Sequence, residues 1–188
     1  MRKAQAAGYR SRAAFKLLEI DARDKLLRRG AKVVDLGAAP GGWSQVAAAK
    51  VKPGGAVIAV DLLEFAPIPG VTALHGDFRE PAVRAAIVEA LGGATADLVL
   101  SDMSPNISGI ASADQARAAE LAEAALEFCC AQLAPGGAFL LKMFQGEAFA
   151  EVHKALKAAF REVLVRKPAA SRGESRETYL LARGLRGR

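Results

Sequence analysis

The sequence predicts an α/β fold: a mostly parallel seven-stranded sheet with one antiparallel edge strand and helices on both faces. Three observations predict it. Seven short runs rich in Val, Ile and Leu punctuate the chain, at 32–37, 56–63, 71–77, 96–103, 138–144, 162–168 and 177–183. Helical patterns separate most of them, as crossover helices separate the strands of a parallel sheet. The last two runs are instead joined by the polar loop "AASRGESR", which predicts an antiparallel edge.

The elements follow in order. "SRAAFKLLEIDARDKLLRRG" places Phe15, Leu18, Ile20 and Leu26 at roughly helical spacing, with Gly30 as a stop, and predicts a helix ahead of the first strand. Strand "KVVDLG" leads into helix "GGWSQVAAAKV"; strand "AVIAVDLL" ends in a Pro-broken loop; strand "VTALHGD" precedes helix "EPAVRAAIVEALG". Strand "ADLVLSDM" runs through a polar loop into a long scaffold helix, with Ser112 as its N-cap. Strand "AFLLKMF" precedes helix "EAFAEVHKALKAAF", and the strands "EVLVRKP" and "ETYLLAR" close the chain. The 188 residues suit one domain, with 1–12 as a basic N-terminal segment.

Composition excludes several classes. No apolar run reaches the ~18 residues of a membrane helix. "MRKAQAAGYRSR" lacks the apolar centre of a signal peptide, so a cytoplasmic protein is expected. Cys129 and Cys130 are adjacent within a helical pattern and point in different directions, which argues against a disulfide. With only His75 and His153 besides, no metal-ligand spacing exists and no metal is expected. Net charge is +6, but residues 1–12 and 161–188 together carry +9 and the middle −3. Basic ends on a neutral-to-acidic body suit a polyanion held on a localised face, or simply a solvated basic tail.

The stretch "DLGAAPGGWSQV" is a strand-to-helix turn at the carboxyl end of a strand, where α/β sheets bind ligands. It is not a phosphate cradle, because Trp43 stands where the lysine of G-x-x-x-x-G-K-[ST] belongs. Nor does it match G-x-G-x-x-G, since Ala39 replaces the second glycine. What remains is close backbone approach at Gly37, Gly41 and Gly42, with Asp35 at the start of the loop, Pro40 within it and Trp43 packing it from behind. Asp61 ends the second strand, where a carboxylate meets ribose hydroxyls, and "GDF" ends the third with Asp77 and Phe78, placing an acceptor for an adenine amino group. Each acid alone suits a turn or helix cap; together, without a phosphate loop, they fit S-adenosylmethionine and its cationic sulfonium.

In order along the chain, "GYRSRAAFKLLEID", "DLGAAPGGWSQV", "HGDF", "SDMSPNISG", "GGAFLLKMFQG" and "SRGESRETYL" resemble the FtsJ/RrmJ family of RNA 2′-O-ribose methyltransferases, in particular its bacterial branch that modifies a uridine of large-subunit (23S) ribosomal RNA. The resemblance covers essentially the whole chain. It implies a Rossmann-like S-adenosylmethionine-dependent methyltransferase fold, ribosomal RNA or the assembled large subunit as partner, and a Lys-Asp-Lys-Glu tetrad. The tetrad falls on Lys16 in "AAFKLLE", Asp102 in "LSDMSP", Lys142 in "LLKMF" and Glu177 in "SRETYL". Independently of the family, Lys142 interrupts an apolar strand, and burying a lysine is costly unless it is paired or deprotonated.

The chemistry implied is in-line attack of a ribose 2′-oxygen on the sulfonium methyl. Lys142 is the expected base, its pKa lowered by burial and by Lys16. Asp102 holds its ammonium and also reaches the cofactor's amine, and Glu177 orients the ribose or Lys16. Arg10, Arg12, Arg172 and Arg176 flank these positions as phosphate contacts, and Tyr9 and Phe144 are stacking candidates for a base. Relatives carry a further basic segment ahead of "RKAQAAGYRSR", so the chain is expected to start late. A monomer is expected. Two other readings stay open at this stage: methylation of a different RNA, transfer or mitochondrial ribosomal, and a non-catalytic assembly factor. An NAD-dependent oxidoreductase lacks both its glycine and a hydride-transfer constellation.

Overall fold

The computed structural model describes residues 2–105, 108–171 and 176–187. Its strands are β1 (Lys32–Leu36), β2 (Ala56–Asp61), β3 (Val71–His75), β4 (Ala96–Ser101), β5 (Leu133–Phe144), β6 (Phe160–Arg166) and β7 (Glu177–Leu185), in one sheet of order β3-β2-β1-β4-β5-β7-β6. Pairing is parallel from β3 to β5. β7 runs antiparallel to both β5 and β6, so the antiparallel edge is this pair, with β7 one position in and β6 outermost.

The helices are α1 (Arg2–Ala6), α2 (Ala13–Asp24), α3 (Gly42–Val51), α4 (Pro81–Ala90), α5 (Ala111–Gln132) and α6 (Glu147–Ala159). Strand side chains alternate between faces, and the two cores record the alternation. Val33, Leu98, Leu100, Leu140 and Leu181 join Leu17, Ile20, Val46 and Ala47 under α2 and α3. Val34, Leu36, Val99, Phe139, Leu141 and Leu180 join Ile87, Phe128, Val152 and Leu156 under α4, α5 and α6. Each fully buried Leu or Phe among them stabilises the fold by roughly 1.5–3 kcal/mol.

Several boundaries differ from the sequence reading: β5 begins at Leu133 rather than at 138, and a short helix, α1, stands in the basic N-terminal segment. α2 stops at Asp24, well before Gly30, with Lys25 in the left-handed region at φ 54°. Its terminator is Asp21, whose carbonyl takes the Lys25 N–H at 2.8 Å and whose buried carboxylate takes the Leu27 N–H at 2.7 Å. Ser112 does not cap α5, because it lies inside the helix, and Ile110 stands at the N-cap with no side-chain bond. Asp114 organises that end instead, accepting from Ser108 N and Oγ at 2.8 and 2.7 Å and from Gly109 N at 3.2 Å.

Candidate active site

Strand parity assembles the site. Asp35 continues the α2/α3-facing row of Val33, Lys142 that of Leu140, and Glu177 and Tyr179 that of Leu181. Polar side chains at the carboxyl ends of β1, β4 and β5 and the start of β7 therefore converge beneath α2 and α3.

Asp35 is 1% exposed and accepts from Ser44 Oγ on α3 at 2.6 Å. Burial pushes its carboxyl up to about 7 against the Ser44 bond, and the charges of Asp102 and Asp61 push the same way. Its second oxygen, Oδ1, and the hydroxyl of Ser101 on β4 are buried with no hydrogen-bond partner among the described residues. Asp61 accepts Ala39 N and Leu63 N, both at 2.8 Å, and so shapes the loop as well as ending its strand. The glycines are obligatory. Gly37 and Gly41 have φ of 73° and 103°, and a Cβ at Gly37 would lie 2.1 Å from Met103 Cγ. At Gly42 a Cβ would lie 2.2 Å from Ser11 Oγ. An unpaired buried acceptor, a hydroxyl and a carboxyl pressed by the charges of Asp102 and Asp61 make a set of groups that fits a ligand with a cationic end and hydroxyl groups.

The four tetrad residues, far apart in sequence, meet. Lys16 Nζ lies 2.5 Å from Glu177 Oε1, and Lys142 Nζ lies 3.2 Å from Asp102 Oδ1 and 2.6 Å from the Asp102 carbonyl. Between the pairs stands Tyr179, 0% exposed, its hydroxyl 2.9 Å from Glu177 Oε1 and 3.1 Å from Asp102 Oδ1. One phenolic proton serves two carboxylates. Burial raises the Asp102 carboxyl despite Lys142 and Lys16. Burial also works to raise Glu177, but the bond and charge of Lys16, with Tyr179 and Lys142, hold it below the usual carboxylate range. Burial, then the two neighbouring carboxylates, push the Tyr179 phenol up.

Tyr179 was missed from sequence although the signal existed: it is two residues from Glu177 on one strand, hence on the same face. Gln45 was missed too, and nothing local signals it; its Oε1 accepts Arg10 N at 2.8 Å and its Nε2 donates to Gly8 O at 3.1 Å, docking the N-terminal segment on α3.

Other candidates sit differently from their expected roles. Arg10 is not a free phosphate contact, because its guanidinium donates to the carbonyls of Pro40 (3.2 Å), Pro67 (2.8 Å) and Ala66, clamping the loop after β1 to the loop after β2. The Phe78 side chain is in the core, 5% exposed, so only its backbone lies at the strand end. Asp77 is gripped by Arg79, whose Nε and Nη2 lie 2.6–3.0 Å from its oxygens and whose bonds lower the carboxyl. Trp43 is buried, donates to Ala13 O at 2.8 Å, and has its ring 5.7 Å from that of Tyr179. Phe144 lies beneath Lys142 Nζ at 5.9 Å, and Tyr9 meets Phe15 edge-on at 5.7 Å. Arg12 and Arg176 are exposed near the site, and Arg172 lies outside the described residues.

The strand order, the inserted antiparallel strand and the acid-lined loop at the carboxyl ends define an α/β enzyme fold of the methyltransferase class. The chain belongs to the FtsJ-like methyltransferase family, whose model matches residues 9–185. It is 58% identical over 186 residues to ribosomal RNA large subunit methyltransferase E of Nitrosospira multiformis, covering 99% of this chain and 90% of that one. It is 55% identical over 187 residues to the protein of that name from Pseudomonas aeruginosa, covering 100% and 90%. Among solved structures, a ribosomal RNA methyltransferase of Plasmodium falciparum superimposes with TM-score 0.86 at 30% identity, over 96% of this chain and 100% of that one. Fibrillarin of Aeropyrum pernix, solved with natively bound S-adenosylmethionine, shares the fold with TM-score 0.61 at 19% identity, over 93% and 75%.

Proposed function

We propose that the protein transfers a methyl group from S-adenosylmethionine to a ribose 2′-hydroxyl, that of a uridine, in large-subunit ribosomal RNA, acting as a cytoplasmic monomer on the assembled subunit. The observation that carries this reading is the pair of lysine–carboxylate contacts at Lys16–Glu177 and Lys142–Asp102, bridged by Tyr179, beside the acid-lined glycine loop. The names of the relatives in two bacterial genera support the substrate class.

Asp35, Asp61 and the backbone at Gly37, Gly41 and Gly42 would hold the cofactor, with Asp35 Oδ1 and Ser101 Oγ as unspent polar groups. When bound, S-adenosylmethionine supplies an electrophilic methyl on a sulfonium that departs as a neutral thioether. Lys142 takes the proton of the attacking hydroxyl. The Asp102 carbonyl and Oδ1 both accept from Lys142 Nζ and hold it in place beside the acid-lined loop. Glu177 fixes Lys16, whose remaining N–H groups orient the ribose, and Tyr179 keeps the Asp102 and Glu177 carboxylates apart without an unpaired charge between them.

The test is label transfer from radioactive S-adenosylmethionine to large subunits lacking the modification, beside free ribosomal RNA and transfer RNA. Label on the subunits, absent with Lys142→Ala, is the expected result. Cofactor binding with no label on any RNA would replace this reading with an assembly factor that lacks turnover, and label on transfer RNA alone would replace the substrate.

A further inference from the structure

The block tally of charge hides a basic surface inside the acidic body of the chain. Between residues 23 and 52 there are seven Lys and Arg against two acids, Asp24 and Asp35. Asp35 is buried in the site, and Asp24 is held by Arg166 Nε and Nη2, both at 2.7 Å. Asp21, just outside this range, is taken by Lys50 at 3.1 Å. Lys32 is spent on the Leu91 carbonyl at 3.0 Å. Lys25, Arg28, Arg29 and Lys52 are left exposed, and none has an ion pair among the described residues.

The turns that carry them adjoin, with the Lys52 side chain extending toward Gly70 ahead of β3. Gly30 N donates to Val51 O at 2.8 Å and Ala56 N to Ala31 O at 3.1 Å, so the 25–31 turn lies beside the 51–55 turn, at the amino ends of β1 and β2. This is the end of the sheet opposite the active site. The two ends are linked by α2, which starts beside Glu177 at the level of Phe144 and finishes beside Arg183, the partner of Ala138, which on its other side pairs with Leu98 near the amino end of β4. Twelve residues of helix span about 18 Å. Its outer face carries Arg12 near the site and Arg23 near the cluster, both exposed, and its one exposed acid, Glu19, is occupied by the N–H groups of Ala169 and Ala170.

We infer that Lys25, Arg28, Arg29 and Lys52 form a second phosphate-binding surface for the RNA substrate, reached along the outer face of α2. The inference rests on the RNA reading above and deepens it: the tetrad selects a ribose, and the remote cluster fixes how the RNA lies. Four exposed cations around two adjoining turns match the sugar-phosphate backbone, which is recognised by charge and position rather than by base. An acidic protein surface is the rival occupant, but the continuity with Arg12 beside a ribose-directed site favours RNA.

The test is the full-length quadruple variant Lys25→Gln, Arg28→Gln, Arg29→Gln, Lys52→Gln beside a control, Lys154→Gln with Lys157→Gln, on the exposed side of α6. Binding to naked large-subunit ribosomal RNA, measured across salt, should lose about 3 from its log–log slope at roughly 0.7–0.9 per contact. In methyl transfer, KM for the RNA substrate should rise ~10-fold or more at physiological salt, with kcat at saturation and cofactor affinity within about twofold and the control unchanged. A slope equal to that of the wild type overturns the inference. So does a defect confined to intact subunits with naked RNA bound normally, which would assign the surface to a protein. Wild-type protein that binds the RNA without transferring methyl would sink the functional reading while a reduced slope in the variant still upheld this one.

Discussion

Two pairs of carboxylates at the carboxyl end of the sheet meet opposite surroundings. Asp102 and Glu177 each face a lysine and share the Tyr179 hydroxyl. Asp35 and Asp61 face no cation among the described residues and rest on Ser44 and on backbone N–H groups. Lys16 outweighs burial at Glu177, whereas burial prevails at Asp35 and, despite its two lysines, at Asp102. The tetrad half is nonetheless internally paired, each carboxylate against a lysine, and positions its own groups. The loop half carries negative charge that a cationic ligand would balance, so binding and chemistry should be separable by mutation.

The largest separation should come from Lys142→Ala. Loss of a general base lowers kcat by roughly 10²–10⁴, while calorimetric affinity for S-adenosylmethionine stays within about twofold, because the loop half is untouched. Near-normal turnover would remove Lys142 from the base role.

The converse variant is Asp35→Asn. In the ligand-free protein the folded carboxyl, raised to about 7, keeps its proton between about pH 4 and 7 while the unfolded chain has lost it. The folded state then binds more protons than the unfolded one, so stability falls as pH rises through that window, by at most about 4 kcal/mol at ~1.4 per unit. Urea unfolding should show this slope in the wild type and its loss in Asp35→Asn, with a variant more stable than wild type at pH 8 yet weaker for the cofactor. Identical pH dependence in the two proteins would assign the effect elsewhere.

Tyr179→Phe tests how complete the tetrad half is. Removing a hydroxyl that two buried carboxylates share costs about 1–3 kcal/mol. Turnover should fall about tenfold, since Asp102 loses an anchor but Lys142 does not. An effect on cofactor affinity larger than that on kcat would break the proposed division of labour.

The comparison also marks what the sequence makes legible. Strands were readable because their apolar runs alternate faces, and the loop because Gly37, Gly41 and Gly42 interrupt a β-to-α transition beside an acid. Lys142 stood out as a charge inside an apolar strand. The antiparallel pair followed from a connection without a helix. By contrast, the end of α2 depends on Asp21 bonding Leu27, and local spacing gives no reason to prefer it to Gly30. The Lys16–Glu177 contact spans 161 positions and enters sequence reading only through the family motif. The carbonyl contacts of Arg10 were hidden for the same reason, since backbone acceptors carry no side-chain signature.

Arg10 gives the smallest effect and the sharpest test of where binding ends and RNA contact begins. Its guanidinium joins the loops after β1 and β2 through three backbone carbonyls, and its own N–H is fixed by Gln45. These bonds are solvent-exposed, so each contributes about 1 kcal/mol or less, and Arg10→Ala should raise KM for S-adenosylmethionine by ~3–10-fold. Arg10→Lys discriminates between the two roles. Lysine serves a phosphate as a point charge but cannot reproduce a planar fork spanning three acceptors. A clamp predicts that Lys behaves like Ala, with the salt dependence of RNA binding unchanged when cofactor is absent. A phosphate contact predicts that Lys behaves like Arg and that Ala removes about 0.7–0.9 from the salt slope. Because the clamp lies on the loop half, its loss should leave kcat at saturating cofactor intact, which Tyr179→Phe does not.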